Sequence, residues 1–102
     1  GAGYRSTCHV AAVLVNNFSN YLYTAADDLC RGEEVDFSLL LPIIRETAAR
    51  LEHYAPKSVQ TGPAIRGDAA TIARHLEILA GHPAITALYE LFSAQIAAYY
   101  RI

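Results

Sequence analysis

Val10-Ala11-Ala12-Val13-Leu14-Val15-Asn16-Asn17-Phe18 is the stretch on which the reading of the fold turns. Six apolar residues run without a break and then meet two asparagines. A half-buried strand would alternate with period two, and this run does not. It sits inside a longer segment, Arg5 to Arg31, where Ala11, Leu14, Phe18, Leu22, Ala25 and Leu29 recur at steps of three and four. That spacing predicts one long helix of roughly 40 Å, capped by Ser6 or Thr7 and ended by Gly32. The half from Val10 to Val15 is apolar all round and is expected to be buried on several sides. In so short a chain this calls for a second surface, from a partner subunit or another domain.

Working outward, the same periodicity predicts an all-α chain, a bundle of about four main helices with a long first one. The second helix is expected from Asp36 to His53, with Leu40, Ile43, Ile44, Thr47, Ala48 and Leu51 facing inward and a kink or break at Pro42. The third runs from Asp68, as N-cap, to Ala80, with Gly81 after it and Ile72, Leu76 and Leu79 inward. The fourth runs from Pro83 to about Tyr100, with Ile85, Leu88, Tyr89, Phe92, Ile96 and Tyr99 as its stripe. A loop of about fourteen residues, Tyr54 to Gly67, joins helices two and three, and loops of that length in small domains are often functional.

Composition narrows the function classes. The 102 residues carry a formal charge of -2 with no basic cluster, which argues against a nucleic-acid partner. The apolar runs are too interrupted to span a membrane. Cys8 and Cys30 lie too far apart on one helix to form a disulfide, so reduced thiols and a cytoplasmic location are expected. The chain has no Met and opens Gly1-Ala2-Gly3, and it is read as a single helical domain, residues 1–102, from a longer protein.

The residues that could carry chemistry are few. Asn16 and Asn17 interrupt the most apolar helix and must find hydrogen-bond partners, in the protein or in a ligand. His9 lies seven positions before Asn16, nearly two turns, so these two share a face; Asn17 is offset from His9 by about 80°. In the loop, Thr61-Gly62-Pro63-Ala64-Ile65-Arg66-Gly67-Asp68 offers a hydroxyl, a flexible glycine and a guanidinium suited to a carboxylate or phosphate. The plainer readings are a surface ion pair for Arg66 and a helix cap for Asp68. Arg66-Gly67-Asp68 also spells an integrin-binding tripeptide, rejected because the Asp is committed to a cap. His75, next to the core position Leu76, is expected at the boundary, bonding back to the loop. The histidines lack the pair spacings of di-iron or zincin sites, so no metal site is expected. There is no G-x-G-x-x-G and no P-loop lysine.

Taken together, His9-Val10-Ala11-Ala12-Val13 with Asn17, then Thr61-Gly62-Pro63, Arg66-Gly67-Asp68, Thr71 and His75-Leu76 resemble the C-terminal helical domain of the Rossmann-like, DUF2520-containing oxidoreductase family. That family belongs to the group with a 6-phosphogluconate dehydrogenase C-terminal-domain-like fold. The resemblance implies an N-terminal Rossmann domain that binds NAD or NADP, absent from this chain, and a helical domain that supplies substrate contacts and a homodimer interface. The wider group often places a lysine and an asparagine one turn apart on the long helix to polarise and protonate a substrate oxygen. Here His9 stands near the lysine position, Val13 one turn on, and Asn17 a further turn along.

The resemblance thus implies the substrate-binding and dimerisation domain of an NAD(P)-dependent oxidoreductase, inactive alone. His9 and Asn17 would be catalytic, and Asn16, Thr61, Gly62, Arg66 and His75 would bind a small-molecule substrate. The alternatives are a non-enzymatic helical dimerisation module and a free-standing small-molecule-binding bundle.

Overall fold

The structure, a computed structural model, describes residues 2–101. Among them there is no strand, and the chain is all-α with four main helical stretches. It divides into two compact units, one up to Leu41 and one from Pro42.

The first unit is built on one continuous helical run. α1 (Ala2–Ala12) passes into a π turn (Val13–Phe18) and on into α2 (Ser19–Gly32). Ala12 and Ser19 keep right-handed helical angles on either side of the π turn, so the helix continues through it. The expected long helix is therefore present, but its centre is wound more widely than an α-helix. Neither expected cap serves as one. Ser6 and Thr7 lie inside α1, and the Thr7 hydroxyl donates to the Gly3 carbonyl, four residues back, at 2.8 Å.

The turn beyond α2 also departs from expectation. The left-handed residue is Glu34 (φ 59°), two positions past Gly32. Val35 N–H donates to the Cys30 carbonyl at 2.7 Å and Glu34 N–H to the Arg31 carbonyl at 3.3 Å. This pair of bonds is a Schellman motif with a glutamate where glycine is usual. The motif brings Val35 back toward Cys30, which is buried. A 3₁₀ turn (Phe37–Leu40) packs on α2, its Asp36 cap accepting from Ser38 N–H at 2.9 Å.

The first helix is little buried within its own unit. Leu14 and Phe18 are 55% exposed and Val15 74%, so the first unit does not itself bury the apolar run. The physical reason lies in supply. The first unit offers this helix little beyond one short turn to pack against.

The boundary falls at the first residue of α3 (Leu41–Arg50), and the second unit takes the rest of that helix, whose first turn holds Pro42. The expected helix from Asp36 is thus split into a 3₁₀ turn and an α-helix, with proline placed where its missing N–H costs nothing. α3 ends three residues before His53 and gives way to turns. Its expected inward stripe is poorly covered: Ile43, Thr47, Ala48 and Leu51 are exposed. α4 (Ala69–Ile78) and α5 (Pro83–Tyr100) follow, joined through a 3₁₀ turn (Leu79–Gly81). Leu79 is the most buried residue described, with Ile72 and Leu76 half-buried beside it in sequence. In α5, Phe92 and Tyr99 of the expected stripe are exposed instead. Gly81 lies within the closing turn and takes no left-handed angle. Thr86 clamps the α4–α5 corner, donating to the Leu79 and His82 carbonyls at 3.0 and 2.9 Å.

Glu34→Gly should raise stability by about 0.5–1 kcal/mol, by relieving a side chain held at positive φ, seen as a higher melting temperature by circular dichroism. A lower melting temperature would show that the glutamate side chain contributes more than the backbone angle costs.

Candidate functional site

The expected site residues fall in both units, and each group is described within its own. His9, Asn16 and Asn17 stand on the first helix and are exposed. The π turn changes their register. A π turn holds more residues than an α turn, so positions beyond it lag by about one residue. The offset that separates Asn17 from His9 in a regular α-helix is thereby largely taken up, while Asn16 falls behind. Asn17, not Asn16, is brought back toward the face of His9. Nothing in residue periodicity signals this, because the run Val13–Phe18 is an ordinary helical pattern.

In the second unit the loop from Tyr54 to Gly67 is held at several points. Its 3₁₀ turn (Pro56–Ser58) is tied to α5 by the Tyr100 hydroxyl, which donates to the Lys57 carbonyl at 2.6 Å. Ala64 is buried and anchors its second half. Gly62 (φ 104°) and Gly67 (φ 64°) take angles that other residues avoid, and this gives both glycines of the loop a conformational reason. Thr61 is exposed, its carbonyl accepting from Gln60 Nε2 at 3.0 Å.

Asp68 is the cap that the sequence predicts. It accepts from Thr71 N–H at 3.1 Å and from the Thr71 hydroxyl at 2.7 Å. Those bonds from Thr71, with smaller help from the Arg66 and Arg74 charges, hold its carboxyl below the usual carboxylate range. Arg66 Nη2 lies 3.8 Å from Asp68 Oδ2, and Arg74 Nη2 donates to the Thr71 hydroxyl at 3.0 Å. Two guanidiniums therefore flank one carboxylate at the start of α4. Arg66 is 59% exposed, so its ion pair is weak and leaves the cation available to an anion.

His75 is half-buried but does not bond back to the loop. Its Nδ1 lies 2.8 Å from the Tyr89 hydroxyl on α5, the two rings edge to face at 82°. Burial raises the Tyr89 phenol above its ordinary value and keeps it protonated. Tyr89 reads in the sequence as a core position of α5, and a pairing across fourteen residues leaves no local signal. Arg74 was likewise missed, being one more charged residue on a solvated helix.

A groove of about 410 Å³ opens elsewhere in this unit, between Lys57 and Gln60 of the loop and Gln95 and Tyr99 of α5. It includes none of the residues expected from sequence. Among the described residues no three His, Cys, Asp or Glu side chains gather as a metal site, and no helix is long and apolar enough to cross a membrane.

No curated protein matches the chain. Among solved structures it is similar to a crystal structure of a "putative NADP oxidoreductase" from Bacteroides fragilis, at 44% identity and a TM-score of 0.86. The match covers 90% of this chain and 36% of that one, so the chain spans about a third of that protein's length. Residues 2–96 match the family model described as Domain of unknown function, DUF2520. The residues that carry the resemblance all lie within that span, and the chain belongs to the DUF2520 family.

Proposed function

We propose that this chain is the substrate-binding and dimerisation domain of an NADP-dependent oxidoreductase, homodimeric and cytoplasmic, and that it turns over nothing by itself. The observation that carries the reading is the close match, in fold and sequence, to about a third of a protein described as an NADP oxidoreductase. The residues described here do not compose a dinucleotide site. In this reading the nicotinamide cofactor is held by an N-terminal Rossmann domain of the full-length protein.

In this reading the chain supplies the substrate side. His9 donates a hydrogen bond or a proton to a substrate oxygen, which an imidazole can do near neutral pH. Asn17, returned toward the same face by the π turn, orients that oxygen, with Asn16 as its neighbour. Within the second unit, Thr61, Gly62, Arg66 and His75 are further substrate contacts in this reading. Arg66, only loosely paired, meets an anionic group of the substrate. The bare apolar run of the first helix is the surface covered by a second copy.

In the full-length protein, His9→Ala should lower kcat about 100-fold, and Arg66→Ala should raise KM about tenfold, both with a melting temperature near wild type. Variants that unfold the protein without affecting ligand binding would instead favour a purely structural role. Asn17→Ala should cost more activity than Asn16→Ala; the reverse order would remove the register argument. Sedimentation velocity should show a dimer, and a well-folded monomer would count against the assembly.

Asp68→Ala should lower the melting temperature by about 4–8 °C at neutral pH through loss of the α4 cap. Because the folded-state pKa of Asp68 is depressed, the contribution is present above the ordinary aspartate value and is lost as pH falls through the folded one. Melting curves of the two proteins should therefore converge in acid.

A further inference from the structure

We propose that Tyr89 is a positioning residue: its hydroxyl donates to His75 Nδ1 and fixes the imidazole in the tautomer that carries its proton on Nε2, which is then offered to a carboxylate oxygen of the ligand. The proposal deepens the reading of His75 as a substrate contact and rests on it.

The argument is one of hydrogen supply. The two atoms are 2.8 Å apart, so one of them donates. A neutral imidazole has one N–H and one acceptor nitrogen, and a bond at either atom decides the state of the other. If Nδ1 carried the proton, it would point at the phenol oxygen, and the phenol hydrogen would need another acceptor in a half-buried setting. With the phenol donating, both groups are satisfied by one bond. The geometry is held from outside the pair. Thr86 fastens the corner between α4 and α5, so the helices that carry the two rings are joined close by. The edge-to-face contact, with centroids 5.7 Å apart, limits rotation of the imidazole. A fixed Nε2–H is a directed neutral donor. Arg66, in the loop before α4, and Arg74, on α4, lie by the Asp68 cap and leave a net positive charge at the start of that helix. A neutral donor on a helix whose start carries that charge suits a carboxylate better than a cation or an apolar group.

The test uses the intact protein with ¹⁵N-labelled histidine, at a pH where imidazole is neutral, with acetate as a minimal carboxylate probe. Wild type should show the Nε2–H tautomer at His75. Tyr89→Phe, which keeps the ring, should move the population toward Nδ1–H and weaken acetate binding about three- to tenfold, followed through the amide shifts of α4. His75→Gln, which keeps a donor near the Nε2 position, should retain acetate binding, while His75→Asn should lose it. A wild-type Nδ1–H tautomer, or a Tyr89→Phe spectrum unchanged at His75, would overturn the assignment of Tyr89 and leave the ligand role of His75 standing. A tautomer that responds to Tyr89→Phe, with acetate binding His75→Asn and wild type alike, would instead remove the ligand role of His75, and the positioning role of Tyr89 with it.

Discussion

Hydrocarbon exposed to water is costly in proportion to its area, and the first helix of this chain exposes more of it than its own unit can cover. Val10, Leu14, Val15 and Phe18 stand well exposed along one continuous helical run, while the residues that follow supply a single short turn against α2. That shortfall shapes the functional reading. In the proposed reading a second copy completes that surface, and His9 and the two asparagines, set into the same helix, are the residues offered to a ligand.

The second unit solves a different problem. Its long loop buries only Ala64 fully, so it is held by point attachments more than by a core. Tyr100 holds one end through a carbonyl, Ala64 is buried in the middle, two left-handed glycines shape the turns, and Asp68 closes the loop into α4. Such a loop is ordered without being deeply buried. That suits a segment whose hydroxyl, amides and guanidinium must stay reachable.

How far this was legible in the sequence varies with the range of the interaction involved. Asp68 as cap, Pro42 as a break and Pro83 as the first residue of α5 are local effects, decided within one turn of backbone, and the structure has all three. The stop of α2 is local too, and it falls where expected, though the turn beyond it does not use a glycine. α2 does close at Gly32, but the left-handed conformation that follows falls to Glu34, which lets Val35 N–H reach the Cys30 carbonyl. The inward stripes of α3 and α5 were drawn from periodicity, which says which face is apolar but not whether anything lies against it. Within the candidate site, the Arg66–Asp68–Thr71 group was readable because its members are neighbours. The pairing of His75 with Tyr89 was not, since it depends on how two helices meet, and neither was the π turn, which obeys no simple residue code.

That π turn has an evolutionary consequence. An α-helix accommodates one surplus residue by bulging locally, so the segment Val13–Phe18 has the form of a single-codon insertion absorbed in place. Removing one residue there would let the helix relax to regular winding and rotate everything downstream by about a third of a turn relative to His9. Length variation at this one spot is thus a means by which relatives can re-aim the polar pair without altering either side chain.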